Sequence, residues 1–322
     1  MSEREAVLST VEVYKEFEEK TSFLDLLTRK KGKSAKVLEN VNLDFYENRI
    51  VGIVGESGCG KSTLAKCIIG LEKPSSGELR IGRNIKKTDI QMVFQDPYSS
   101  LNPRMTIYDT LKEVLTVHKS CKKKDMPDKI YQLMEMCGLD RVLAERYPGE
   151  LSGGQRQRVG IARALAADPK ILIADEPVSA LDVSIQAQII NLLAELKQKL
   201  KLTIIFISHD LNVVRYISDV VAVMYLGTIV EYGRKEDIYT NPLHPYTKLL
   251  LDSAPRINAD AEPETTLLEL GELPTPYDRP RGCCFHTRCP YATECCRTTP
   301  IGLVKCEGSH EVACFRYYFG EK

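Results

Sequence analysis

The stretch Gly55-Glu56-Ser57-Gly58-Cys59-Gly60-Lys61-Ser62-Thr63 constrains this chain more than any other. It fits the phosphate-loop pattern G-x-x-x-x-G-K-[ST] at every position. Ile50-Val51-Gly52-Ile53-Val54 before it reads as a buried strand, and Leu64 to Ile69 after it reads as a helix. The glycines let the backbone curl until successive N–H groups converge on phosphate oxygens. The helix that follows turns its positive end toward the same anion. Lys61 supplies a point charge to the β- and γ-phosphates, and Ser62 offers a hydroxyl to Mg²⁺. A glycine-rich turn before a buried helix is the bland reading, and the agreement of motif and flanking elements sets it aside.

The chain of 322 residues suits one large domain with a smaller addition. Lys+Arg and Asp+Glu balance at 44 each, so there is no overall field for nucleic acid or anionic lipid, and no nucleic-acid partner is expected. Basic runs such as Arg29, Lys30, Lys31 and Lys33 read as solvated faces. Neither a signal-peptide layout nor an apolar run of the ~18 residues a membrane span needs is visible. A soluble protein that docks on a membrane partner is the expectation.

Taken in order, Val11 and Val13 begin a strand, and Leu38 to Phe45, Gly77 to Ile81 and Ile90 to Phe94 read as further strands. Between Pro97 and Asp168 the apolar spacing turns helical, over Thr106–His118, Lys129–Cys137 and Gln155–Ala167. Ile171 to Ala174 is a strand, Val183 to Leu200 an amphipathic helix, and Thr203 to Ile207 another strand, with Val220–Tyr225 and Thr228–Tyr232 flanking Gly227. This alternation predicts an α/β core with a mostly parallel sheet and a helical insertion at about 97–168. Prolines, among them Pro245, Pro255, Pro263 and Pro274, punctuate a loop-rich tail, which places a boundary near 240: a nucleotide-binding domain over 1–240 and an extension over 241–322.

Asp175-Glu176 closes an apolar strand and supplies the second nucleotide element. Asp175 is placed to hold Mg²⁺, and Glu176 to polarise an attacking water. Leu151-Ser152-Gly153-Gly154-Gln155 opens a helix whose free N–H groups suit a second anion site. With Gln95 in Val93-Phe94-Gln95-Asp96-Pro97, the turn Ser179-Ala180-Leu181-Asp182 and Ser208-His209-Asp210, it resembles the signature set of the ATP-binding-cassette (ABC) ATPases over roughly residues 8–255. The resemblance implies a P-loop ABC-type core, with an antiparallel β part and a helical subdomain beside the parallel sheet. It implies that Ser152, Gly153, Gly154 and Gln155 act in trans on ATP held by a partner's phosphate loop, and that Asp182 links the two sites. His209 would meet the γ-phosphate, Gln95 the Mg²⁺ and lytic water, and Phe17 the adenine. An aromatic on an early strand is more often core.

Seven of the eleven cysteines crowd into the last 40 residues. Asn241 to Leu250 and the run Gly282-Cys283-Cys284-Phe285-His286-Thr287-Arg288-Cys289 resemble the closing sequence and cysteine module of oligopeptide, dipeptide and nickel importers. The matching ligands are Cys283, Cys289, Cys296 and Cys314, spaced unlike a zinc ribbon. Four thiolates in a reducing compartment suit Zn²⁺ or a [4Fe–4S] cluster, and the resemblance favours the cluster. Cys284, Cys295 and Cys306 leave the choice within Cys283/Cys284 and Cys295/Cys296 open.

The resemblance implies an ATPase at the cytoplasmic face of the membrane, energising uptake of peptides, nickel or a related solute. Its implied partners are a second ABC ATPase (a heterodimer, with a homodimer as the other arrangement), two permeases and an extracytoplasmic solute-binding protein. The rival reading is a soluble ABC ATPase, such as an accessory subunit of a phosphonate-degradation complex.

Overall fold

The computed structural model describes residues 5–18, 34–253, 274–306 and 308–318. The basic run around Lys30 and the prolines Pro255 and Pro263 lie outside them. Eleven strands are described: β1 (Leu8–Glu18), β2 (Ser34–Phe45), β3 (Ile50–Val54), β4 (Ser76–Ile81), β5 (Ile90–Val93), β6 (Ile171–Asp175), β7 (Thr203–Ser208), β8 (Val220–Tyr225), β9 (Thr228–Arg234), β10 (Val304–Lys305) and β11 (Glu311–Val312). Two compact units divide the chain, and β3 begins in one and ends in the other.

The first unit is built mainly from Phe45–Val51 and Ile81–Ser208. Its strands follow the order β3-β7-β6-β5. β5, β6 and β7 run parallel, with Ile90 opposite Ile171 and Ile171 opposite Thr203. Every residue of β6 and β7 is buried, as the unbroken apolar runs require of parallel strands covered on both faces. The insertion folds as helices Ile107–His118, Met126–Met136 and Gly153–Leu165, with short helical turns between them. Their buried faces carry Ile107, Leu111, Leu115, Ile130, Leu133, Val159 and Ala162 at three- and four-residue intervals within each helix. Arg158 joins two further elements, donating to the Cys137 carbonyl at 2.8 Å and to Gln188 Oε1 at 3.1 Å.

The second unit takes Leu8–Asp44, Gly52–Arg80 and the described residues from His209 onward. A three-stranded sheet has the order β2-β1-β4, and the remaining strands follow β10-β11-β9-β8-β3. The sheet is mixed, since β8, β9, β11 and β10 pair antiparallel. The cause is local. Leu226 and Gly227 both hold positive φ, 41° and 75°, which is the two-residue turn whose twist suits a hairpin. Tyr225, Tyr246 and Phe285 form an aromatic core, with ring centroids 4.6 to 5.4 Å apart.

The tail holds more regular structure than its prolines predict. Pro245 is the first residue of the helix Pro245–Asp252, where its missing N–H is no loss. His244 caps that helix: its Nδ1 accepts from the Tyr246 N–H at 3.1 Å. Burial pulls the His244 pKa down from 6.5 to about 4, against the opposing pull of Glu231. The fold therefore holds this imidazole neutral, whereas the unfolded chain binds a proton below pH 6.5. The stability so gained is complete above pH 6.5 and lost as the pH falls toward 4, about 3 kcal/mol in all. Denaturant titrations at pH 7.5 and 5 should show this slope, and His244→Asn, which keeps a capping oxygen, should flatten it. Equal slopes in the two proteins would assign the acid sensitivity elsewhere.

Candidate functional site

The phosphate loop lies wholly in the second unit. Gly58 and Gly60 take φ of 79° and 106°, conformations that other L-residues rarely adopt. Lys61 is 4% exposed, and its ammonium donates to the carbonyls of Gly55 (2.8 Å) and Glu56 (3.0 Å), with Cys59 Sγ at 3.7 Å. The loop thus wraps its own cation. Burial raises the Cys59 thiol pKa more than the neighbouring ammonium lowers it, so the sulfur stays a neutral thiol. Lys61 opens the helix Lys61–Ile69, and Ser62 and Thr63 sit in its first turn, with the chain's N–H groups facing the loop.

Asp175 and Glu176 lie in the first unit. Asp175 ends β6 at 4% exposure, a hard oxygen donor of the kind Mg²⁺ takes. Glu176 follows with φ +45°, a left-handed backbone that is strained for a residue with a side chain. It is held there by its N–H donating to the Ile207 carbonyl (2.9 Å) and by Ser179 Oγ donating to its carbonyl (3.1 Å). Gln95 Nε2 donates to Glu176 Oε2 at 3.1 Å. Two of the residues expected to handle water are therefore already joined.

The signature stretch lies in the same unit and is a true helix cap. Ser152 Oγ accepts from the Gln155 N–H (3.2 Å), while Gln155 Oε1 accepts from the Ser152 N–H (2.9 Å). Capping uses a lone pair of the hydroxyl, whose own hydrogen remains a donor. Gly154 packs so tightly that a Cβ there would lie 2.6 Å from Ile185 Cγ2. Asp182 begins the helix Val183–Leu200, and Gln186 ties that turn down through the carbonyls of Val178 and Leu181. His209, in the second unit, is exposed just beyond β7, ahead of a short helix capped by Asp210. Phe17 is not core: it is 39% exposed on β1, with the Lys15 ammonium 4.6 Å from its ring centroid.

The cysteines of the C-terminal segment differ in their burial. Cys284 is buried with Sγ toward the Tyr225 carbonyl, and Cys295 is exposed. Cys283, Cys289, Cys296 and Cys314 are each half-buried. Burial pushes the thiol of Cys283 up to about 12 and that of Cys289 to about 11; neighbouring sulfurs add to the rise, Cys284 first at Cys283 and Cys314 first at Cys289. Burial also raises Cys314, with Cys296 contributing. Among the described residues, no three His, Cys, Asp or Glu side chains converge closely enough to hold a single metal ion.

Some polar anchors carry no motif. Arg279 pairs with Glu39 and donates to the Leu226 carbonyl, Arg288 pairs with Glu56, and His310 Nε2 lies 2.7 Å from Glu231 Oε1. Each fastens the C-terminal segment within the second unit. Among the described residues, no helix is long and apolar enough to cross a membrane.

Residues 38–179 match the family described as ABC transporter, and residues 230–296 match the C-terminal region of oligopeptide/dipeptide transporters. The oligopeptide transport ATP-binding protein OppF of Salmonella typhimurium is 50% identical, over 88% of this chain and 89% of its own. The di/tripeptide transport ATP-binding protein DppF of Pseudomonas aeruginosa is 45% identical, over 87% of this chain and 89% of its own. Among solved structures, a dimeric post-hydrolysis state of the ATP-binding cassette MJ0796 bound to ADP and Pi is 28% identical. It has a TM-score of 0.60 and covers 71% of this chain and 98% of that one. The cbiO1 protein of Clostridium perfringens, part of the cbiONQ transporter complex, is 27% identical with a TM-score of 0.61, over 73% and 91% of the two chains.

Proposed function

The chain belongs to the ABC transporter family, in the branch of oligopeptide and dipeptide ATP-binding proteins, and from that membership we propose that it is the ATP-hydrolysing subunit of an importer, energising uptake of dipeptides or oligopeptides. The observation that carries this reading is one chain matching both the cassette and the peptide-transporter C-terminal region. A phosphonate-degradation subunit gains nothing from that second match and is set aside.

The residues divide the chemistry. Lys61 and the loop amides neutralise the β- and γ-phosphates, and Ser62 and Asp175 take Mg²⁺. Glu176 accepts the proton of the attacking water, positioned with Gln95, while His209 meets the γ-phosphate and Phe17 offers its face to adenine. Ser152, Gly153, Gly154 and Gln155 complete the ATP site of a second cassette, and Asp182 carries its state across. That second cassette is a different subunit, giving a heterodimer on the cytoplasmic face of two permeases fed by a solute-binding protein. Closure on ATP and reopening after hydrolysis drive the permeases between their two states.

Within the extension 241–322, Cys283, Cys289, Cys296 and Cys314 hold a [4Fe–4S] cluster. The likeness of this cysteine run to the cysteine module of oligopeptide and dipeptide importers supports this, and four thiolates are a ligand set that such a cluster takes. The cluster would cross-link a loop-rich segment; the thiols supply its four anchoring sulfurs. Purification of the tagged chain from membranes is the test. Two permeases, a second ATPase and roughly four irons per chain should accompany it. Recovery without any membrane partner would overturn the importer assignment, and iron-free protein from anaerobic cells would overturn the cluster.

A further inference from the structure

Arg288 belongs to the C-terminal cysteine segment, next to Cys289, yet its guanidinium ends on the phosphate loop. Nη1 stands 3.1 and 3.2 Å from the two carboxylate oxygens of Glu56, and Nη2 3.3 Å from Oε1. The two residues are 232 positions apart. The Arg288 side chain is 4% exposed and that of Glu56 19%, so this is a sheltered pair rather than a surface one. Tyr225 and Phe285 wall it in, each ring centroid 5.9 Å from the guanidinium carbon.

The backbone of Glu56 is committed as well. Its N–H donates to the Tyr246 hydroxyl at 3.0 Å, and its carbonyl is one of the two that hold the Lys61 ammonium. A carboxylate in an anion-binding loop opposes that loop's purpose. Unpaired, it would repel the incoming phosphates and compete with them for Lys61. A forked guanidinium both cancels the charge and fixes the direction of the side chain.

We propose that Arg288 is a positioning residue for ATP: it holds Glu56 so that the phosphate loop keeps its binding shape, and thereby makes ATP binding depend on the C-terminal segment. This rests on the reading of the loop as the ATP phosphate site. Any change that displaces the segment around Cys289 would then be felt at Lys61 through Glu56.

The test compares Arg288→Met, Arg288→Lys, Glu56→Gln and the double variant Glu56→Gln/Arg288→Met in the purified complex. ATP KM and kcat are measured together with equilibrium ATP binding. Arg288→Met should raise the ATP KM about tenfold, with the greater part of the loss in KM rather than kcat. Arg288→Lys, which keeps the charge and loses the fork, should recover part of it. The double variant should match Glu56→Gln alone, because with no carboxylate to restrain the guanidinium has nothing left to do. A double variant impaired by the full product of the two single effects would overturn the proposal, as would an unchanged KM in Arg288→Met. Should Arg288→Met fail to fold, Arg288→Lys decides: a KM raised about threefold supports the proposal and an unaltered one overturns it. If the unsubstituted complex bound no ATP, the nucleotide reading itself would fall. Normal binding indifferent to Arg288 removes only this proposal.

Discussion

Glu176→Gln is expected to retain ATP binding while slowing hydrolysis by roughly 10²–10⁴-fold, the range that a positioned general base supplies. The substitution keeps the size and planarity of the side chain and removes only its ability to take a proton. Its surroundings argue that the geometry would survive. The backbone at φ +45° is pinned by the Ile207 carbonyl and by Ser179, so the left-handed conformation does not depend on the carboxylate charge. Gln95 donates to Oε2, and a glutamine at 176 can present a carbonyl oxygen to that same donor. Holding a residue with a side chain in this region costs about 1–3 kcal/mol, which the neighbouring bonds must offset. Phosphate-release assays beside nucleotide-binding titrations separate the two quantities. Turnover at the unsubstituted rate would remove Glu176 from the role of base, whereas loss of binding would make it a structural residue.

The cassette was legible because its chemistry demands contiguous residues. A loop that cradles phosphates needs its glycines and lysine within one short stretch, and parallel strands buried on both faces write unbroken apolar runs such as Ile171 to Ala174. Ser152 and Gln155 announce a helix start by their own spacing. None of this applies to the C-terminal segment. β10 and β11 are two residues each, too short to carry any alternation, so their addition to β9 left no pattern to read. Pro245 was read as a loop signal although it also suits the first position of a helix. The pairs Glu39–Arg279, Glu56–Arg288 and Glu231–His310 join single polar residues far apart in the chain, and each partner alone looks like ordinary surface. Cys284 is buried with its sulfur toward the Tyr225 carbonyl, a setting that its place beside Cys283 did not announce.

Glu231→Leu should be the most damaging single change to the fold of the second unit, at about 3–5 kcal/mol. Glu231 lies on β9 at 0% exposure, and its carboxylate accepts from the backbone N–H groups of Leu243 (2.8 Å) and His244 (2.9 Å) while His310 Nε2 approaches to 2.7 Å. One side chain therefore joins β9 to the start of the helix Pro245–Asp252 and to the turn before β11. Leucine fills similar space but accepts no hydrogen bond, so two amide N–H groups in the interior lose their partner together with the imidazole. An unmet donor in the interior forfeits its solvation, about 1–3 kcal/mol each. Thermal unfolding should shift down by roughly 5–15 °C, and hydrogen exchange should rise first at residues 243–246 and 310–312. Glu231→Gln, which keeps one acceptor oxygen, should lose about half as much. His310→Ala, which leaves both amide bonds in place, should lose less again and loosen chiefly the β10–β11 hairpin. If all three variants melted within a degree or two of the parent chain, the amides of Leu243 and His244 would have to find water or another acceptor, and the carboxylate would not be what fastens the C-terminal segment to β9.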